Sequence, residues 1–332
     1  MRAYQVVEFG PPSALQLKEV DDLVPGEGQI VVDVAAAGIN FPDVLVVSGR
    51  YQILPPRPFV PGKELTGTVR AIGVGVSGFA LGDRVLGQLE HGAFAEQAVV
   101  NAADTFRLPD GLGFADATAL GLVYQTAYFA LLDRAGLRPG ETVLVGGAAG
   151  GVGIASMQLA KAFGARVLAA VRKPDQVEFV RAHGADAVID VGGANLRDDL
   201  RAQVLAATDG RGVDVIIDPV GGEFFSAGLR ALAWCGRLVV IGFAGGDIPS
   251  VKANYLLVKN ISVSGLQWSD YRERMPERMA EAQADIFRLW CSGAVRPPVT
   301  QTFAFEKLPA ALELIEKGRI RGKAAVIVRD VP

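Results

Sequence analysis

Apolar positions in the first third of the chain come in short runs that glycine and proline interrupt. Residues 29–35, 65–72 and 95–100 are continuous or alternating apolar stretches, the pattern of strands buried on one face or both. Between them, PPRPFVPG at 55–62 suits only irregular chain, because proline lacks the donor that a helix or a sheet ladder needs. The stretch up to about residue 120 therefore predicts a β-rich block with long loops.

From about residue 125 the rhythm becomes strand, helix, strand, helix. A β-branched run at 142–145 leads through glycines into a helical pattern that ends at Phe163 and Gly164. Further strands are expected at 166–171, 187–190, 213–218, 237–241 and 261–265, and helices at 175–183, 196–208 and 223–233. Pro174 suits the first turn of its helix and Gly184 the C-terminal cap. Such alternation predicts a parallel sheet covered by helices on both faces. The tail reads as a helix at 276–291, a strand, a helix at 309–317 and a closing strand at 324–328. A doubly wound block of residues 125–267 thus interrupts a β-rich block, formed by 1–124 with 268–332 returning to it.

The strongest local signal is TVLVGGAAGGVG at 142–153, which runs directly into IASMQLAKAF at 154–163. A buried strand feeds a glycine turn, and the turn feeds a helix N-terminus. Backbone N–H groups there, from Ala149, Gly150, Gly151 and Val152, can hold a pyrophosphate that absent side chains allow to approach. Ala148 stands where the first glycine of G-x-G-x-x-G belongs. At the end of the next strand an NAD site would carry Asp or Glu for the ribose hydroxyls. Here the residues are Arg172 and Lys173, two cations suited to a 2′-phosphate, so NADPH is the expected cofactor. The plain alternative is a solvated pair of charges in a loop.

Composition narrows the class further. Half of the 332 residues are hydrophobic and 21% are charged, as in ordinary globular proteins. A net charge of −3, from 33 basic and 36 acidic residues, offers no global field for nucleic acid or an anionic membrane. No apolar run is long enough to span a membrane, and the first residues carry no signal-peptide pattern. Cys235 and Cys291 lie far apart, which suggests free buried thiols and a reducing, cytoplasmic compartment.

AGINFPD at 37–43, PGKELTG at 61–67, GDRV at 82–85 and GAFAE at 92–96 precede the glycine turn; DPVGG at 218–222, GRLVVIG at 236–242 and Gly322-Lys323 follow it. In this order they resemble the medium-chain dehydrogenase/reductase superfamily over essentially the whole chain. The resemblance implies an α/β fold, a Rossmann doubly wound parallel sheet inserted into a GroES-like β-rich catalytic domain. Zinc-dependent relatives place Cys where Asn40 stands and His where Lys63 stands, although Glu64 is kept. With two distant cysteines, and His91 and His183 read as surface or packing residues, no metal site is expected. Asn40, Tyr51 and the AAGGVG turn look like the zinc-free quinone oxidoreductase branch, and IGFAGG at 241–246 with LLVKNIS at 256–262 is similar to its quinone-oxidoreductase-like subgroup. Val191 departs from the aromatic or histidine that many members place near the adenosine.

The resemblance implies an NADPH-dependent oxidoreductase that passes hydride to a small-molecule quinone or enone. Asn40 and Tyr51 would be the catalytic pair, flanking nicotinamide and substrate and donating to a developing oxyanion. Tyr51 has a second reading as an aromatic packed over Pro55 and Pro56. Thr126, Gly242, Phe243, Ala244, Leu266 and Lys323 join Asn40 and the glycine turn as cofactor contacts, and Trp268 either lines the substrate pocket or belongs to the core. An enoyl-thioester reductase and a crystallin-like NADPH-binding protein are the alternatives. Strand 261–265 is expected at a sheet edge with the apolar flank 255–258 beside it, an arrangement that suggests a homodimer.

Overall fold

A computed structural model describes residues 1–329. They divide into two compact units, one of residues 1–122, 269–291 and 297 onward, the other of residues 123–268 and 292–296. The first unit begins with an antiparallel ribbon of strands β1 (Arg2–Gln5) and β2 (Gln16–Glu19). Strand β3 (Gln29–Ile39) follows, then helix α1 (Phe41–Val47) and strands β4 (Glu64–Ile72), β5 (Arg84–Gln88), β6 (Gln97–Asn101) and β7 (Thr105–Arg107). Helix α2 (Phe114–Ala117) precedes helix α3 (Leu122–Phe129), which leads into the second unit.

That unit alternates β8 (Thr142–Val145), α4 (Gly151–Ala162), β9 (Arg166–Val171), α5 (Val177–Ala182), β10 (Ala187–Asp190), α6 (Leu196–Ala207) and β11 (Val213–Asp218). It continues with α7 (Gly222–Ala231), β12 (Leu232–Val240), α8 (Ala253–Lys259) and β13 (Ser262–Gly265). After α9 (Trp268–Arg274) and α10 (Pro276–Cys291), the first unit gains β14 (Val299–Ala304), α11 (Leu308–Glu316) and β15 (Lys323–Ile327).

The second unit's sheet has the order β10-β9-β8-β11-β12-β13, and every pair in it is parallel. Strand order reverses at β8, so the crevice beyond the carboxyl ends of β8 and β11 is where such sheets receive a ligand. Leu144, Leu168, Ile216 and Leu238, one from each of four adjacent strands, meet Leu200, Val204 and Phe224 of the helices in a single core. In the first unit the order is β14-β15-β3-β4-β5-β7, with β6 also paired to β3. None of the helices among the described residues is long and apolar enough to cross a membrane.

Three differences from the sequence reading have physical causes. β3 runs to Ile39 rather than stopping at 35. Its core positions are Ile30, Val32 and Val34, then Ala37 and Ile39, and the register against β4 shifts between Val34 and Ala36. An extra residue there resets the alternation, so a strict two-residue period ends early. β12 begins at Leu232 rather than 237, because residues 233–236 loop out between the Val213–Leu232 and Val215–Arg237 pairs. Trp234, 79% exposed, and Cys235, at φ 61°, sit on that excursion. Cys235 and Cys291 are both free, as expected, but both are exposed rather than buried. The excursion accounts for Cys235, and Cys291 closes the last turn of α10.

Candidate active site

Within the second unit, the glycine turn joins β8 to α4. Gly147 adopts φ 55°, which a side chain would resist, whereas Ala148 is fully buried in ordinary backbone and donates its N–H to Ala170 O at 3.2 Å. The departure at Ala148 is therefore harmless; the left-handed residue is its neighbour. A Cβ on Gly153 would collide with the carbonyl of Gly147 and the backbone of Ala148, so the helix packs on its own turn only as glycine. Gly150 is the N-cap of α4, and no side chain caps this end. The first-turn N–H groups of Gly151 and Val152 thus have no side-chain cap among the described residues, the chemistry that suits a pyrophosphate.

The second-unit candidates that follow β9, β12 and β13 lie at the same carboxyl edge of the sheet. Arg172 and Lys173 follow β9 and are exposed. Gly242, Phe243 and Ala244 follow β12, and their loop is zipped to the one after β11 by Ala244 N–H to Pro219 O (3.0 Å) and Gly245 N–H to Val220 O (2.9 Å). Asp218 holds that partner loop through its Oδ1, which accepts from the N–H groups of Val220 (2.8 Å) and Gly221 (2.9 Å). Burial pushes the Asp218 carboxyl up from the usual carboxylate range. Leu266, just past β13, donates its N–H to Val240 O at 3.0 Å. Val191 is half-buried and packs against the core. Thr126 is buried on α3, and Trp268 is buried with its indole N–H on Gln125 Oε1 at 2.9 Å.

Within the first unit, Asn40 is brought onto Lys323. Asn40 is the N-cap of α1, and its backbone N–H reaches Asp43 Oδ2 at 2.8 Å. Its carboxamide Nδ2 donates to Glu64 Oε1 at 2.9 Å, while Oδ1 accepts from the Lys323 ammonium, which also pairs with Glu64. Glu64 is 0% exposed, and its Oε2 accepts the Leu122 N–H at 2.8 Å. A Cβ on Gly38 or Gly121 would strike this carboxylate, so two glycines make the room for it. The carboxamide is held in one orientation, because Glu64 can only accept and Lys323 can only donate.

Asp43 is fully buried beside this cluster, and its Oδ1 has no partner among the described residues. Burial pushes its carboxyl up to about 7; the Asn40 N–H, Lys63 and Lys323 pull it down, and Glu64 pushes it further up. A carboxyl in such a place is held largely neutral by the cost of desolvating its charge.

Tyr51 lies half-buried in the loop after α1, packed against the core of this unit. The Lys63 ammonium stands over its ring, 4.5 Å from the centroid, and pairs with Glu90. The other Glu90 oxygen accepts from Ser269 Oγ at 2.9 Å and Arg272 at 3.4 Å. Lys63 is 1% exposed. The sequence reading had singled out Lys63 and Glu64 only by position, and Asp43, Glu90, Ser269 and Arg272 not at all. Lys63 and Glu90 are 27 residues apart and Glu90 and Ser269 179, so only the folded sheet and returning helix α9 join them. Among the described residues no group of three or more His, Cys, Asp or Glu could hold a metal ion.

Two family models match the chain: the alcohol dehydrogenase GroES-like domain over residues 26–110 and the zinc-binding dehydrogenase over residues 151–284. The quinone oxidoreductase-like protein 2 homolog of Nematostella vectensis is 38% identical over 328 residues, covering 98% of this chain and 88% of that protein. The quinone oxidoreductase of Escherichia coli, solved in complex with NADPH, is similar with a TM-score of 0.90 and 30% identity, over 99% of this chain and 100% of that one. The CurK enoyl reductase shares the fold at 24% identity, with a TM-score of 0.89 over 99% of each chain.

Proposed function

The chain belongs to the quinone oxidoreductase branch of the medium-chain dehydrogenase/reductase superfamily, and on that premise we propose that it is an NADPH-dependent enzyme reducing quinones or other conjugated carbonyl compounds without a metal. NADPH, when bound, supplies the hydride. The uncapped N-terminus of α4 would hold its pyrophosphate, and Arg172 and Lys173 would hold its 2′-phosphate.

The observation that carries the reading is the buried Asn40 carboxamide, fixed by Glu64 and Lys323. One Nδ2 hydrogen is on Glu64, and the second is oriented by the same clamp. A donor held in place needs no reorganisation when negative charge develops on an acceptor oxygen, the condition for oxyanion stabilisation. The Tyr51 hydroxyl is the second donor. Quinones and enones are electron-poor already, so two hydrogen-bond donors and an ordered, dry surrounding suffice for them.

The residues around Asn40 fit a metal poorly. Two buried ammonium groups, Lys63 and Lys323, occupy the neighbourhood, and the carboxylates of Glu64 and Glu90 are already paired with them. A divalent cation would have to displace like charges.

NADPH oxidation, followed with quinones, enones and enoyl-CoA before and after exhaustive chelation, tests the reading. Turnover with quinones or enones that survives chelation is expected. Turnover confined to enoyl-CoA would make the chain a thioester reductase, none would reduce it to a binding protein, and activity that depends on added zinc would overturn the metal-free assignment. The protein acts as a homodimer, joined through the open edge of β13 and the apolar outer side of α8, where Leu257 and Val258 are 78% and 75% exposed.

A further inference from the structure

An ammonium buried to 99% and set over the face of one aromatic ring is a costly arrangement for a residue that only packs. Lys63 is not loosely placed. Its Nζ is anchored on the Glu90 carboxylate and donates as well to the Glu90 carbonyl at 3.3 Å, and Glu90 is itself fixed by Ser269 and Arg272. The result is a row running from the Tyr51 ring to the Lys63 cation, the Glu90 carboxylate and the Arg272 cation, all within the first unit.

We propose that Lys63 is a positioning residue whose charge makes the Tyr51 hydroxyl a stronger acid and hydrogen-bond donor. A cation facing the ring stabilises the ionised phenolate more than the neutral phenol, because the ring carries the extra electron density in that form. Glu90 opposes this field and Arg272 reinforces it. His91, next in the chain to Glu90, is kept largely neutral by its burial. Asp43 also feels Lys63; with its carboxyl pushed up to about 7 it is ionised in the alkaline range where a phenol titrates, in the wild type and in Glu90→Gln alike, so it opposes the Lys63 field equally in both. Glu273, exposed, also pairs with Arg272 at 3.5 Å, so two cations meet two carboxylates along the row, and the charge nearest the Tyr51 ring is the Lys63 cation.

The chemical consequence rests on the proposed function. The Tyr51 proton passes to the acceptor oxygen that has become negative, and the phenolate then regains a proton from water, so the residue ends the cycle as it began. The measurement does not depend on turnover. Phenolate absorbance is titrated in the whole protein, and the Tyr51→Phe protein is subtracted to isolate this one hydroxyl. Lys63→Met keeps the stem's bulk and removes the charge, and Glu90→Gln removes the opposing charge. The Tyr51 midpoint is expected to rise by roughly one pH unit or more in Lys63→Met, the size of a nearby-charge effect, and to fall in Glu90→Gln. A residue that merely packs would not move the two variants in opposite directions.

An unmoved midpoint, or shifts of the same sign in both variants, overturns the proposal. Should Lys63→Met fail to fold, Glu90→Gln decides alone by the sign of its shift. The alkaline limb of the turnover profile is expected to follow the same order. If the midpoints move as stated but that limb does not, the role of Lys63 stands and Tyr51 is not the donor, which separates this inference from the function it builds on.

Discussion

At the scale of single residues, the buried carboxyl of Asp43 links stability to pH in a direction opposite to that of a salt-bridged acid. In the unfolded chain it titrates near 3.8, and in the folded protein near 7. Between those values the native state holds a proton that the unfolded chain has lost, so stability falls as pH rises through the window from about 4 to about 7. At roughly 1.4 kcal/mol per unit the loss approaches about 4 kcal/mol. Asp43→Asn removes the titration, and the new amide oxygen still accepts the Asn40 N–H. Urea midpoints of the two proteins are expected to diverge in favour of the variant between pH 5 and pH 8; parallel curves would sink the idea. Tyr51→Phe addresses the neighbouring donor. It keeps the ring under Lys63, so folding and NADPH affinity should hold while the turnover number drops, more for enones than for quinones. Equal rates for wild type and variant on both substrate classes would leave Tyr51 a packing residue.

At the scale of elements, the junctions at the ends of β8 and β9 are the proposed seat of cofactor choice. Replacing both Arg172 and Lys173 with Ala should weaken NADPH binding by up to a few kcal/mol, as charge-assisted contacts to a phosphate are lost. NADH binding should stay nearly constant. Titration of both nucleotides checks this, and a wild type that binds them equally well would refute the assignment. These junctions were also the part most legible in the sequence. The strand–glycine–helix order of 142–163 needs only neighbours along the chain, and so does the boundary at Gly184, whose φ of 110° matches its expected capping role. The excursion at 233–236 was illegible because its exposed Trp234 follows no period, and the bulge in β3 because it breaks one. The candidate site was half legible. Asn40 and Tyr51 stand in recognisable segments, whereas the clamp of Glu64 and Lys323 on Asn40 joins residues 259 and 283 apart. No local pattern encodes such a pairing.

At the scale of the whole molecule, the open edge of the second unit's sheet makes an association state testable. β13 is a short strand with one side unpaired among the described residues, and Leu257, Val258 and Trp234 expose apolar surface on the same unit. Light scattering at micromolar concentration should give about twice the chain mass of 34.9 kDa, and Leu257→Asp with Val258→Asp should give the single mass. A wild type of single mass would rule the dimer out. The clamp on Asn40 bears on how the molecule comes into being. Synthesis is vectorial, so Asn40 and Glu64 leave the ribosome long before Lys323 exists. β15 must then add to the long-finished β3 to deliver its ammonium, and β14 joins the sheet through β15. Until that moment a nascent chain carries the Glu64 carboxylate without the Lys323 counter-ion, and its sheet ends at β3. On the proposed function, competence is therefore acquired last, and a translation product cut short before residue 323 is expected to lack the clamped Asn40 donor.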